Sequence, residues 1–516
     1  MRRERRTALA VCSLLLLSLI VEGAETPEQR ASRYFESIRN QPALLLAFLH
    51  DMPKGGDLHN HLVGAVYAES YIGFAARDGL CVDRATVALV APPCGAEKSQ
   101  VPAAVALKDR ALYGQMIDAY SMRDFHASQQ SAHDHFFDAF LKFDPATPRH
   151  YGEMLAEVVA RAAAQHEVYM ELMLGPGRAQ AIGTAAKVGR DEDVARLREK
   201  LLAHGIAEAV SHAKVELDEA EKEMGEVLGC DAMAQGITAS DRSLGPDPGC
   251  GVTVRYVYDV LRSLPPEQVF AQVLLAFELA RVDERMVAVN LVMPEDAYVP
   301  MHDFDLHMRM LDYLHAVYPR VHITLHAGEI APGLVPPEGL RFHIRQSVEK
   351  GHAERIGHGV DVMYEDHPLD LLREMAGSKV LVEICLTSND MILGVRGMEH
   401  PLPVYLRYGV PVALATDDEG VARSSLTWEY KRAVETYHLT YAQLKKMARD
   451  SIEHSFLPGA SLWSALEYSV RVPACAGVTP NQGIVSSACR RVLEGSEKAR
   501  MQWKLEAEFG RFEKNF

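Results

Sequence analysis

The chain has 516 residues, 48% of them hydrophobic and 24% charged, and a formal net charge of −16. That acidity disfavours nucleic-acid backbones and anionic membrane surfaces as partners. The composition is globular and allows one large core, such as an α/β barrel of about 250 residues or more.

In chain order, Arg2, Arg3, Arg5 and Arg6 precede an apolar run over 8–21, and Val21-Glu22-Gly23 offers a small-residue cleavage site. This pattern predicts a removable export leader over 1–23, because the run is shorter than the about 20 residues a membrane span needs. The leader carries four Arg and two Glu, so its loss takes the net charge from −16 to −18. Thr26, Pro27 and Gln29 form a capping signature for a first helix, and a second short helix is expected over 42–50. Together they make an N-terminal arm over 24–52. The arm leads into a catalytic domain over 53–460, and a helical extension over 461–516 follows.

Strands are expected at 56–62, 168–174, 285–293, 321–325, 355–357, 379–385 and 410–416, with helical stretches between most of them. Such alternation implies a parallel sheet with crossover helices. Seven strands and one without a clear signal predict a (β/α)8 TIM-type barrel. Residues 76–112 and 228–252 read as insertions, and 191–228 as one long charged helix.

Cys12 leaves with the leader. Cys81 and Cys94, Cys230 and Cys250, and Cys475 and Cys489 lie close in sequence, which suggests local disulfides and an oxidising compartment. Connectivity itself is not readable from sequence. Cys385, inside an apolar run, reads as a buried thiol.

His59 and His61 sit two residues apart on the first strand and so share one face, the barrel interior. His326 follows the apolar run over 321–325, and Asp417 follows the strand over 410–416. Three imidazoles and one carboxylate, with water completing the shell, suit Zn²⁺ better than Mg²⁺ or Ca²⁺. All four residues lie at strand ends that converge on the C-terminal face of a parallel barrel, where active sites form. His133 and His135 share the two-residue spacing but fall in a helical pattern, where they would not face one another. They read as structural or surface residues.

The ordered set Met52-Pro53-Lys54, His59-Asn60-His61, His326-Ala327-Gly328-Glu329, Arg355-Ile356-Gly357-His358-Gly359, Ser388-Asn389 and Asp417-Asp418 resembles the adenosine deaminase family of zinc amidohydrolases. The leader, the His400-Pro401 element and the segment from Ser451 to Phe456 look more like its exported branch, the adenosine deaminase growth factors. The resemblance covers roughly 52–458. It implies one zinc per chain on His59, His61, His326 and Asp417. It implies that Glu329 passes a proton to purine N1 and shuttles the water proton, that His358 orients the attacking water, and that Asp418 hydrogen-bonds purine N7. Ser388 and Asn389 would support the site.

The same resemblance marks departures. Val63 stands where intracellular members carry an aspartate for the ribose 5′-hydroxyl, and Met293 stands where they carry a glycine that meets the purine. Residues 172–176 lack the usual polar groups. Glu295 and Asp296 read as solvated loop carboxylates, with substrate contact as the alternative. Phe136, Phe137, Phe140 and Phe143 fit either ordinary core or a pocket wall. The expected activity is hydrolytic deamination of adenosine or a close 6-aminopurine nucleoside. The alternatives are another aminopurine, a non-catalytic nucleoside-binding or signalling protein, and zinc hydrolysis of an amide or ester. The expected partner is a small purine nucleoside, with neither nucleic acid nor membrane after leader removal; a homodimer stays open.

Overall fold

A computed structural model describes residues 25–95, 99–127, 130–230, 247–465, 467–480 and 485–516. The leader expected over 1–23, and 231–246 of the insertion expected over 228–252, lie outside the described residues.

Eight parallel strands form one sheet in sequential order. They are β1 (Gly55–His61), β2 (Glu167–Leu174), β3 (Thr253–Leu261), β4 (Met286–Val292), β5 (His322–Ala327), β6 (Arg355–His358), β7 (Leu381–Ile384) and β8 (Val412–Leu414). The sheet closes on itself at one point. Asp417 N–H donates to the His59 carbonyl at 2.9 Å, and His61 N–H donates to the Asp417 carbonyl at 3.1 Å. The expected barrel is therefore present, and two of its proposed ligand-bearing segments make the closure.

The strand without a clear signal is β3. Its sequence mixes Arg255 and Asp259 among tyrosines and valines, and its first residues are only half-buried. It therefore lacks the continuous apolar run that marks a strand covered on both faces. The long charged helix expected over 191–228 is two helices, Val194–His204 and Ile206–Leu228, separated by Gly205. The insertion expected over 76–112 contains a small antiparallel sheet of Cys81–Asp83, Leu89–Val90 and Gln100–Pro102.

The N-terminal helices are Pro27–Ile38 and Pro42–Asp51; Thr26 and Gln29 form the capping box. Their aromatic face packs on the C-terminal helix Glu497–Phe512, with Phe48 4.9 Å from Phe512 and 5.3 Å from Phe35 between ring centres. Three disulfides join Cys81 to Cys94, Cys230 to Cys250 and Cys475 to Cys489. Cys385 is a free, buried thiol. Among the described residues, no helix is long and apolar enough to cross a membrane.

The barrel axis is charged where a barrel core is ordinarily aliphatic. Arg355, fully buried at the start of β6, donates from Nε to Glu383 Oε1 and from Nη2 to Glu171 Oε2, both at 2.6 Å. Its guanidinium also lies over the Phe456 ring at 4.0 Å. Removing one partner of a buried ion pair strands the others in low dielectric, at a cost of about 3–5 kcal/mol. Arg355→Met is expected to lower stability by about that much, read by denaturant unfolding. Arg355→Met combined with Glu171→Gln should recover part of the loss. Stability equal to wild type in the single variant would show that the triad is not a structural element.

Candidate metal centre and active site

Three imidazole nitrogens and one carboxylate oxygen meet at the C-terminal mouth of the barrel. His59 Nε2 and His61 Nε2 lie 3.0 and 3.2 Å from His326 Nε2, and 3.4 and 3.3 Å from Asp417 Oδ1. All four ligand atoms fall within 4.8 Å of one another. A tetrahedron with vertices 2.0–2.2 Å from its centre has edges of about 3.3–3.6 Å. The observed spacings are close to those edges, so this donor set fits a Zn²⁺-sized ion.

Each donor is held from behind. His59 Nδ1 bonds Glu383 Oε2 at 2.7 Å, and Glu383 Oε1 also accepts from Thr324 and Arg355. A carboxylate on Nδ1–H leaves the Nε2 lone pair free for a cation. His326 Nδ1 meets the Asn290 side-chain amide at 2.7 Å, and a cation on Nε2 requires that amide to accept from Nδ1 rather than donate to it. Asp417 Oδ2 accepts the Ser388 hydroxyl at 2.6 Å, leaving Oδ1 for the cluster. Asp259 Oδ2 lies 3.8 Å from His61 Nδ1. Gly357 admits His59: a Cβ there would sit 2.5 Å from His59 Cε1.

Beside the cluster, Glu329 Oε1 lies 3.7 Å from His358 Nε2, and neither atom has a hydrogen-bond partner. Burial, reinforced by the Asp417 carboxylate, pushes the Glu329 carboxyl well above its ordinary range. Asp418 is likewise pushed up to about 8 by burial and then by Asp417. Its Oδ1 is buried without a partner, and a Cβ at Gly64 would fall 1.6 Å from that oxygen. Burial first, opposed by Asp417, takes His358 down to about 3. Burial thus pushes Glu329 and Asp418 toward their acid forms and His358 toward the neutral imidazole, while Asp417, against its own burial, is held ionised by the imidazoles. Perturbed groups of this kind mark functional sites.

The structure brings together His59, His61, His326, Glu329, His358, Asp417 and Asp418. It corrects the expectation for Glu295, which is neither solvated nor free for substrate. Glu295 is 1% exposed, accepts the N–H groups of Gly328 (3.1 Å) and Glu329 (2.8 Å), and bonds His343 Nδ1. It shapes the turn that carries Glu329. Asp296 meets His133 Nε2 at 3.1 Å on the helix Ala132–Phe143. His135 Nε2 lies 3.1 Å from the backbone carbonyls of Asp118 and Ser121. On that helix Phe136 and Phe143 belong to the core, while Phe137 and Phe140 are half-buried. Val63 packs on the core, and its carbonyl accepts the Tyr71 hydroxyl. Met293, 38% exposed, has a φ of +104°, a backbone geometry natural to glycine.

Sequence reading missed Glu383, Asn290, Asp259 and Arg262. Buried Arg262 donates to the carbonyls of Met293 and His326, tying together the ends of β3, β4 and β5. Each is a single polar residue in or just after a strand, with no local motif to announce it.

The architecture is that of a parallel (β/α)8 barrel. A zinc-bound amidohydrolase from Burkholderia ambifaria shares the fold at a TM-score of 0.50 and 17% identity, covering 81% of this chain and 89% of that one. The family model for adenosine deaminase matches residues 146–462, and the chain belongs to the adenosine deaminase family. An adenosine deaminase of Pectobacterium atrosepticum is 32% identical over 228 residues, covering 44% of this chain and 60% of that protein. One of Vibrio vulnificus is 27% identical over 208 residues, covering 40% of this chain and 56% of that protein. The matched stretch thus spans somewhat more than half the length of these relatives.

Two measurements probe this geometry. Gly357→Ala must push His59 aside, so metal affinity should fall by at least about tenfold in competition with a chromophoric chelator; unchanged affinity would remove His59 from the cluster. The second concerns Glu429, fully buried against the start of the helix Leu386–Leu393 that carries Ser388. Burial raises it to about 7, against the lowering hydrogen bonds from Thr387 and Ser424. An unfolded glutamate ionises near about 4.3. The folded state therefore holds more protons between those values, and stability falls as pH rises through that window. Glu429→Gln should flatten the slope of unfolding free energy against pH there; an unaltered slope would show that Glu429 ionises normally.

Proposed function

We propose that the protein is a zinc-dependent aminohydrolase that converts adenosine, or a close 6-aminopurine nucleoside, to the inosine-type product and ammonia. The observation that carries the reading is the juxtaposition of the four-donor cluster with two buried carboxyls, Glu329 and Asp418, each with an unpartnered oxygen. His59, His61, His326 and Asp417 would hold one zinc ion, whose Lewis acidity activates water near neutral pH. Glu329 would give its proton to purine N1, which makes C6 electrophilic. Once ionised, Glu329 would take a proton from the attacking water and pass it to the leaving amine. Asp418, protonated, would donate to purine N7. His358 would orient the water from its Nε2 side. A pure binding protein needs no proton shuttle, so the retained Glu329 weighs against that alternative.

The three disulfides, with the leader-like sequence over 1–23, support an exported protein. The His400-Pro401 element and the segment from Ser451 to Phe456 support the growth-factor branch. A second reading, another 6-aminopurine such as adenine or a modified nucleoside, is favoured by Met293: its left-handed backbone puts a side chain where a glycine would leave open space.

The test is the ultraviolet absorbance of adenosine with purified zinc-loaded protein, beside chelated protein and Glu329→Gln. Wild type should deaminate, chelation should stop it, and zinc should restore it. Glu329→Gln should lose at least about 100-fold while keeping its zinc. A zinc-loaded wild type inert on adenosine but active on another aminopurine would decide for the second reading. Full activity after verified metal loss would overturn both.

A further inference from the structure

A chain of three buried groups runs behind His358, and one end of it is unambiguous. The backbone N–H of Leu402 can only donate, and it donates to His400 Nδ1 at 3.1 Å. The neutral His400 ring therefore carries its proton on Nε2, which lies 3.0 Å from Asn389 Oδ1 and donates to it. This orients the Asn389 amide. Its nitrogen faces His358 Nδ1 at 2.9 Å and donates in turn. His358 Nδ1 is then an acceptor, so the ring's proton sits on Nε2, the atom facing Glu329 Oε1 at 3.7 Å. His400, Asn389 and His358 are each at most 1% exposed, so bulk water does not compete for these bonds. Asn389 lies on the helix Leu386–Leu393 after β7, and His400 lies on the turn beyond it. Two separate segments thus set the state of a residue on β6.

We infer that His400 and Asn389 are positioning residues that lock His358 as a neutral Nε2–H donor. In that state His358 has no lone pair toward the centre and cannot take a proton from water. It can only donate a hydrogen bond, and proton acceptance falls to Glu329. The catalytic part of the inference rests on the deaminase reading; the tautomer does not.

The experiment uses zinc-loaded protein with ¹⁵N-labelled histidine, with the His358 signals assigned by their loss in His358→Gln. Wild type should show a protonated Nε2 and a bare Nδ1 at His358. Asn389→Asp has nearly the same shape but only accepts, so it should bring a proton to His358 Nδ1. It should also lower kcat by at least about 100-fold, with zinc content and KM little changed. A protonated Nδ1 at His358 in wild type would overturn the lock. Undiminished kcat in Asn389→Asp, once Nδ1 is protonated, would overturn its role in turnover. If that variant does not fold, a second pair decides. His400→Leu frees the Asn389 amide to turn and should cost about tenfold, whereas His400→Gln can still donate to Asn389 Oδ1 and should restore most of the rate. Equal losses in that pair would count against the relay. A wild type inert on adenosine would sink the deaminase reading alone, and the histidine spectrum would still decide the lock.

Discussion

A fully buried guanidinium holds the centre of this barrel in place. Arg355 bridges Glu171 and Glu383, and Glu383 reaches up to His59 Nδ1. The line Glu171–Arg355–Glu383 carries alternating charge from the barrel floor and ends on His59 at the four-donor cluster. Each link needs the next. Without Arg355 two carboxylates would be stranded in low dielectric, and without Glu383 the His59 ring would lose its tautomer and its aim. An aliphatic core of equal volume would be easier to bury, but it could not orient an imidazole. The β1 sequence shows the consequence: Asp57, His59 and Asn60 are all buried, in a strand that reads as polar.

The strand ends are bent to serve the mouth. His358 and Asp417 have φ values of +69° and +60°, and Met293 has +104°. Non-glycine residues in such backbone cost about 1–3 kcal/mol each and persist where the surroundings over-determine them. Asp417 is fixed by the two hydrogen bonds that close the barrel, and His358 by the Asn389 amide. The barrel's closure and its chemistry therefore use the same backbone atoms.

What the sequence disclosed, and what it hid, follows from the range of each interaction. Strands buried on both faces, such as β2 and β4, announce themselves as apolar runs. The β3 strand does not, because its flanks are half-buried and polar. The cluster residues were legible because each sits in a short motif just after a strand. Glu295 was misread because Pro294-Glu295-Asp296 looks like a solvated turn, while its partner His343 lies 48 positions away. Glu383 and Arg262 were invisible for the same reason: each is one polar residue in or just after a strand, and its meaning comes from neighbours on other strands. The short helix break at Gly205 is a weak local signal inside a strongly helical composition, and composition won.

The protonation pattern narrows what the mouth can serve. Glu329 and Asp418 are driven toward their acid forms because both share burial with Asp417, which the imidazoles keep ionised. In those forms, and on the reading proposed for this site, two acids and an imidazole N–H would form a set of donors. A substrate suited to them carries acceptors on both sides of its reacting carbon. A purine does, with N1 beside C6 and N7 across the ring. An amide or ester offers one carbonyl oxygen, which would leave one of the acids buried without a partner, a state that costs about 1–3 kcal/mol. On the reading proposed above, the adjacency of Asp417 and Asp418 is what joins metal chemistry to purine recognition: the first must stay charged to bind the ion, and its charge is what keeps the second a donor.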